Sequence, residues 1–219
     1  MSIRNNLSVI RKSVDDNVKI VAVTKKRTIS EINEALDAGI TDIGESRLQE
    51  AKEKIPHLPK NITKHFIGRL QTNKVREVVR LFDVIQSVDS LKLAEKISEE
   101  CEKIKKTMPI LIQVNTSGES QKGGVKPDEL MGLIEKTSEL PNIRVEGLMT
   151  IAIHSDNEDE VRECFEKLKQ KFMNIKSKIE VRKSKFDFKW LSMGMSEDYR
   201  LAVEEGTNMV RIGSGLFEP

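Results

Sequence analysis

The nine residues "VKIVAVTKK", from Val18 to Lys26, join an apolar run to a pair of lysines. Apart from Lys19, residues 18–23 are all apolar, which is typical of a parallel strand covered on both faces. The segment after the run contains no glycine, so the Gly-rich turn that opens a nucleotide-binding βαβ unit is absent. The stretch therefore favours a parallel sheet without that nucleotide site.

Seven further segments of this kind follow, and helix-like segments separate them. The predicted strands are Val18–Lys25, Thr41–Glu45, His65–Arg69, Asp83–Val88, Pro109–Asn115, Arg144–Ile151, Lys189–Gly194 and Met209–Gly213. Eight strands that alternate with helices predict an α/β fold, a closed (β/α)₈ TIM barrel, with a doubly wound open sheet as the alternative. We see no linker or repeat, so we expect residues 1–219 to form a single domain.

Helix ends are marked by residues that cap them. Thr28 and Glu31 have the spacing of a capping box. Ser196 is predicted to be the N-cap of the helix after the seventh strand, and Gly206 its C-terminal cap.

Charge and composition exclude several classes of protein. The 37 basic and 35 acidic residues leave a net charge of +2, which argues against a nucleic-acid partner. No apolar run approaches the roughly 18–20 residues that a membrane span needs, and the N-terminus does not look like a signal peptide. Cys101 and Cys164 form no CxxC pair and fit a reducing cytoplasm. The three histidines have no metal-ligand spacing, and His65 is expected to be packed or exposed rather than catalytic.

The lysine pair comes where a barrel places its active site, at the carboxyl end of a strand. Strand alternation puts Val21, Val23 and Lys25 on one face and Lys26 on the other. If the first face points into the barrel, Lys25 lies over its mouth; the reverse register would favour Lys26. A lysine among apolar neighbours is available as a nucleophile towards a carbonyl, although a lysine that ends a strand and reaches water is the simpler alternative.

Two loops suit a phosphate, and both follow the last strands, where barrels often bind one. "SMGMSEDY" contains Ser196 at a helix start, and "VRIGSGLF" contains Gly213 and Ser214, which offer a hydroxyl and unobstructed backbone N–H groups. A plain helix cap and a C-terminal turn are the alternatives.

Arg211 shares a strand face with Gly213 and needs an acceptor if it is buried. The acceptor is either a carboxylate or a heterocyclic nitrogen of a cofactor. Lysine, phosphate loops and arginine together suggest pyridoxal 5′-phosphate (PLP). The aldehyde would form a Schiff base with Lys25, the phosphate would bind Ser196, Gly213 and Ser214, and the ring nitrogen would face Arg211.

Motifs along nearly the whole chain resemble the pyridoxal phosphate homeostasis protein family, whose barrel is related to the N-terminal domain of alanine racemase. They include "VAVTK", "IGESRLQE", "HFIGRLQTNKV", "QVNTSGESQKGG", "LSMGMSEDY" and "MVRIGSGLF". The resemblance implies a PLP–lysine aldimine at Lys25 and adds Ser46 and Met193 to the cofactor-binding residues. Ser46 stands where family members usually have an asparagine near the cofactor ring.

The resemblance implies a PLP-binding protein of the cytoplasm that acts in vitamin B6 homeostasis and amino-acid balance. We expect a monomeric carrier that can hand PLP to apo-enzymes, and no metal. Racemases take a second base from a further C-terminal domain, which we do not expect here because the sequence ends at Pro219, five residues after Ser214. An arginine opposite the ring nitrogen would also weaken the cofactor as an electron sink. A PLP-dependent racemase or another PLP enzyme, and a barrel for another phosphorylated metabolite, are the alternatives.

Overall fold

The computed structural model describes residues 2–181 and 187–218. In this part of the chain eight parallel strands close into a barrel in sequence order, and β8 pairs with β1. The strands are β1 (Lys19–Val23), β2 (Asp42–Glu45), β3 (Thr63–Phe66), β4 (Val84–Val88), β5 (Met108–Gln113), β6 (Ile143–Met149), β7 (Trp190–Ser192) and β8 (Met209–Ile212). The predicted TIM barrel is confirmed.

Helices cover the outside of the barrel. The described residues form α1 (Ile3–Lys12), α2 (Ile29–Asp37), α3 (Leu48–Lys54), α4 (Val75–Leu81), α5 (Leu91–Glu102), α6 (Leu130–Ser138), α7 (Glu158–Val181), α8 (Tyr199–Glu204) and α9 (Ser214–Phe217). The capping box of Thr28 and Glu31 is present at the start of α2. Among the described helices, none is both long and apolar enough to cross a membrane.

The hydrophobic core has two layers. Val21, Leu111, Met149 and Met209 form one cluster although they come from four different strands, so they meet inside the barrel. Ile20 and Ala22 belong instead to a cluster with residues of α1 and α2. The strand faces predicted for the first part of β1 are therefore correct, with Val21 pointing inwards.

The predicted first strand is too long at its carboxyl end. β1 stops at Val23, and the chain turns because the Arg27 N–H donates to the Thr24 carbonyl at 3.0 Å. Lys25 lies in this turn, and Lys26 has a φ of +61°. Strand alternation therefore ends before the lysine pair, and it does not choose between the two lysines.

Five other strands, β3, β5, β6, β7 and β8, also end one to three residues earlier than predicted. β3 ends at Phe66 rather than Arg69, and Gly68 beyond it passes so close to Ser46, the residue after β2, that a Cβ there would lie 2.1 Å from the Ser46 carbonyl oxygen. β7 ends at Ser192, and Gly194 adopts a φ of +93°. These turns begin the loops at the mouth of the barrel.

Candidate functional site

The loops after β7 and β8 meet at the hydroxyl of Ser196. The N–H groups of Gly213 and Gly215 both donate to Ser196 Oγ, each at 3.1 Å. Two backbone N–H groups that converge on one oxygen form the kind of cradle that holds an anion. The two loops that the sequence indicated for a phosphate are thus a single feature of the structure.

Ser196 is not the N-cap of the following helix, and this prediction is wrong. α8 begins at Tyr199, and its N-cap is Asp198. Asp198 Oδ1 accepts the Met195 N–H at 2.5 Å, so the aspartate holds the turn before the helix. The Ser196 hydroxyl is therefore available to accept hydrogen bonds from the loop after β8.

Ser214 begins α9 at the same place and is exposed. Its carbonyl accepts the Glu218 N–H at 2.8 Å, which closes the short α9 turn. Ser214 therefore lies between Gly213 and Gly215 with an accessible side chain.

Arg211 lies on β8 and is almost fully buried, with 3% of its surface exposed. Its Nη1 donates to Ser192 Oγ at 2.9 Å and its Nη2 to the Thr150 carbonyl at 2.8 Å. Burial lowers the pKa of Arg211 to about 10, and the charge of Asp198 opposes this shift. The arginine remains charged at neutral pH, and among the described residues both of its hydrogen-bond acceptors are neutral.

The turn that carries Lys25 is held from α3. Lys54 Nζ donates to the Thr24 carbonyl at 2.8 Å and to Glu50 Oε2 at 2.6 Å. The same Glu50 oxygen accepts the Lys26 N–H at 2.7 Å. The backbone on both sides of Lys25 is therefore fixed by one ion pair, while the Lys25 side chain is exposed.

The end of β1 lies next to the β8 loop. β1 pairs with β8, and a Cβ built on Gly213 would lie 3.5 Å from Val23 Cβ. Lys25 follows Val23 by two residues. The lysine turn, the Ser196 hydroxyl and the Gly213 N–H thus surround one end of the barrel, and Arg211 is buried on the strand that leads to it.

Ser46 and Met193 lie at the ends of β2 and β7. The Ser46 N–H donates to Glu45 Oε1 at 2.8 Å, and its side chain is half-buried. Met193 is fully buried and packs in the cluster between barrel and helices, with residues such as Phe165. If Met193 contacts a ligand at the mouth of the barrel, it must therefore do so through its backbone.

Several residues near the site were not predicted from the sequence. Ser192, Gln86 and His65 are buried inside the barrel and connect to Arg211 by hydrogen bonds. His65 is packed, as expected, but it is also hydrogen-bonded on both ring nitrogens. The polar residues in the otherwise apolar strands "VIQSV" and "WLS" were the available signal.

Comparison with known proteins shows the family of this chain. Residues 1–218 match the family model described as "Alanine racemase, N-terminal domain". A relative from Haemophilus influenzae is 35% identical over 230 residues, covering 99% of this chain and 95% of the relative, and one from Aquifex aeolicus is 40% identical over 200 residues, covering 91% and 86%. Both are named pyridoxal phosphate homeostasis protein. The chain belongs to this family.

Solved structures agree with the fold. PipY of Synechococcus elongatus PCC7942 is 32% identical and covers 98% of this chain and 99% of its own, with a TM-score of 0.92 without PLP and 0.89 with PLP bound. An alanine racemase from Clostridium difficile matches with a TM-score of 0.77 at 17% identity, and this chain spans 55% of its length. That second likeness concerns the barrel fold alone.

Proposed function

We propose that this chain binds PLP through Lys25 and takes part in cytoplasmic vitamin B6 homeostasis. The single observation that carries the proposal is the convergence of the Gly213 and Gly215 N–H groups on one oxygen, beside the turn of Lys25. The names of the relatives and the PLP bound to PipY support the same ligand.

The residues present fit each part of PLP. The Ser196 hydroxyl and the exposed Ser214 hydroxyl can donate to phosphate oxygens, and the Gly213 and Gly215 N–H groups, which donate to Ser196 Oγ in this structure, lie at the same place. Arg211 supplies a buried N–H for the ring nitrogen, because its hydrogen bonds within the described residues occupy two of five donors. Lys25 supplies the amine, and Ser46 and Met193 complete the proposed set from the neighbouring strand ends.

Lys25 Nζ would attack the aldehyde carbon, and loss of one water would leave a C=N bond in place of C=O. This Schiff base needs no oxidant or reductant. The bound cofactor supplies a masked aldehyde, which is protected from other amines until it is released.

A carrier fits these residues better than a racemase. A guanidinium keeps its protons at neutral pH, so Arg211 would donate a hydrogen bond to the ring nitrogen without protonating it. Without that proton the cofactor withdraws electrons weakly. We therefore infer a monomeric carrier that influences amino-acid balance and passes PLP to apo-enzymes.

Borohydride reduction after addition of PLP, followed by peptide mass mapping, tests the proposal. We expect the fixed label on Lys25, loss of the label in Lys25→Ala, and retention in Lys26→Ala, which serves as the matched control. A label on Lys26 would reassign the lysine and keep the cofactor. If no lysine carries the label, the result would contradict PLP binding.

A further inference from the structure

A line of buried polar side chains crosses the interior of the barrel from β8 to β2. Arg211 Nη1 donates to Ser192 Oγ at 2.9 Å, and Ser192 Oγ donates to Gln86 Oε1 at 2.8 Å. Gln86 Nε2 contacts His65 Nδ1 at 3.0 Å, and His65 Nε2 contacts Asp42 Oδ1 at 2.9 Å. All five side chains belong to residues that are at most 3% exposed.

The groups along this line of hydrogen bonds determine the direction of each bond in it. A guanidinium has only donors, and an ionised carboxylate has only acceptors. Asp42 is ionised, because hydrogen bonds from His65, Thr41 and Lys19 outweigh the effect of burial and lower its pKa to about 2. His65 must therefore donate to Asp42 through Nε2.

The groups between the ends follow from that assignment. The Gln86 amide nitrogen, which can only donate, faces His65 Nδ1, so Nδ1 accepts and the imidazole proton lies on Nε2. The second Gln86 amide hydrogen is directed to Met209 Sδ at 3.2 Å, and its carbonyl faces Ser192. The Ser192 hydroxyl proton points to Gln86, and a lone pair on Ser192 Oγ accepts the hydrogen bond from Arg211. Each of these groups could turn either way in isolation, and here each has one orientation.

This line of hydrogen bonds also determines the orientation of the Arg211 guanidinium. Ser192 holds Nη1, and the Thr150 carbonyl holds Nη2. The Thr150 hydroxyl donates to the Val114 carbonyl at 2.8 Å and contacts Thr116 Oγ1 at 2.9 Å, so this second support is itself fixed. Hydrogen bonds at both Nη atoms stop rotation of the guanidinium about its long axis.

We propose that His65 and Gln86 are positioning residues that fix Arg211 as a preorganised donor towards the ring nitrogen of a bound ligand. This proposal rests on the proposed function, in which that ligand is PLP. Neither residue touches the ligand. Their effect passes through Ser192, and it is specific for the nitrogen because the guanidinium contacts the ligand there.

Affinities for PLP and for an analogue in which carbon replaces the ring nitrogen test the proposal. In His65→Leu and Gln86→Leu we expect PLP to bind about tenfold more weakly, as for loss of a well-placed hydrogen bond to a charged donor, while the carbon analogue changes less than about twofold. His65→Gln keeps one donor and one acceptor and should retain PLP affinity.

Ser87→Ala is the matched control on the same strand. Ser87 is 2% exposed, and its hydroxyl has no hydrogen-bond partner within residues 2–181 and 187–218. We expect this variant to bind both ligands like the wild type. Equal weakening of both ligands in His65→Leu and Gln86→Leu would overturn the proposal, since it would show support of the fold alone.

The donor-to-acceptor direction of the hydrogen bonds from Arg211 to Asp42 can be measured without any ligand. Nitrogen-15 NMR of the unliganded wild type should show His65 as the Nε2–H tautomer at neutral pH, with its signal assigned by loss in His65→Gln. The Nδ1–H tautomer would overturn the proposed direction. If borohydride fixes no PLP in the wild type, the proposed function fails, and the tautomer still decides the direction of the chain.

Discussion

At the scale of single residues, the Ser196 hydroxyl joins the loops after β7 and β8 at one end of the barrel. It accepts two backbone N–H groups from the loop after β8, and Ser196 is half-buried. A serine at this point links two loops that are separate in sequence. It therefore affects both the shape of the cradle and the number of donors in it.

Ser196→Ala should weaken PLP binding about tenfold, because one hydroxyl contact to the phosphate and the order of the loop are lost together. Ser155→Ala is the control, since Ser155 is another half-buried loop serine whose Oγ accepts a backbone N–H, from Asn157 at 3.1 Å. Equilibrium titration with PLP measures both variants. Equal affinities would exclude Ser196 from the phosphate site.

Asp42 should make stability depend on pH in the acid range. Burial alone would raise its pKa, but hydrogen bonds from His65, Thr41 and Lys19 lower it from 3.8 to about 2. A carboxyl with a lowered pKa stabilises the fold above pH 4 and loses that contribution as the pH falls from about 4 to 2. The contribution at neutral pH is about 2 kcal/mol.

We therefore expect Asp42→Asn to unfold at lower urea concentration at pH 7 and to show a flatter acid dependence than the wild type. Urea unfolding between pH 2 and 7 measures this. Asp37→Asn, at an exposed aspartate at the end of α2, should behave like the wild type. An unchanged acid slope in Asp42→Asn would contradict the assignment.

At the scale of elements, α3 acts on the loop after β1. Lys54 is 13% exposed at its side chain and bridges the Thr24 carbonyl, Glu45 and Glu50. Burial would raise the pKa of Glu50, but Lys54 and the Lys26 N–H lower it. The helix thereby carries the charges that fix the lysine turn.

Lys54→Met should slow the fixation of PLP at Lys25 about tenfold, because the turn loses the contact that orients it. Lys52→Met is the matched control, since Lys52 lies on the same helix but is 47% exposed and pairs with Glu77. The rate of borohydride-fixed label measures both variants, and melting temperatures separate slower fixation from unfolding. Equal rates for the two variants would contradict the role of α3.

The turn from β7 to α8 depends on Gly194, which has a φ of +93° and no room for a side chain. A Cβ there would lie 2.6 Å from Ala202 Cβ on α8. Gly194→Ala should cost about 2 kcal/mol of unfolding free energy, through strain and a clash. Gly132→Ala, inside α6 with open space around the added methyl, should stabilise the fold by up to about 1 kcal/mol. Urea denaturation of both variants measures the contrast, and equal effects would contradict this packing.

At the scale of the whole molecule, barrel closure joins the first strand to the last. The single tryptophan, Trp190 on β7, lies under Lys19 of β1, with Nζ 5.4 Å from the ring centroid. Since β8 separates these two strands, the contact exists only in the closed barrel. Tryptophan fluorescence should therefore report closure.

That residues 1–219 form a single domain remains a prediction. We expect one cooperative urea transition, with tryptophan fluorescence and far-ultraviolet circular dichroism giving the same midpoint. Fluorescence reports the barrel and circular dichroism mainly the helices. Two separate midpoints would contradict a single cooperative domain.

Local patterns were sufficient for most of the fold. Apolar runs such as "ILIQVN", the capping box at Thr28 and Glu31 and the glycines after helices are short-range signals, and all eight predicted strands overlap observed ones. Prediction was wrong where the backbone turns under tertiary contacts. Examples are the turn after Thr24, which is fixed by Lys54, and the start of α8, which lies at Tyr199 rather than just after Ser196.

The sequence by itself determined the barrel and the family, because strand periodicity and motif order are properties of neighbouring residues. Only the tertiary structure decided that Ser196 bonds to the β8 loop and that a chain of hydrogen bonds connects Arg211 with Asp42. The physical reason is that a hydrogen bond depends on distance and direction in space. Residues on non-adjacent strands acquire both only when the barrel closes.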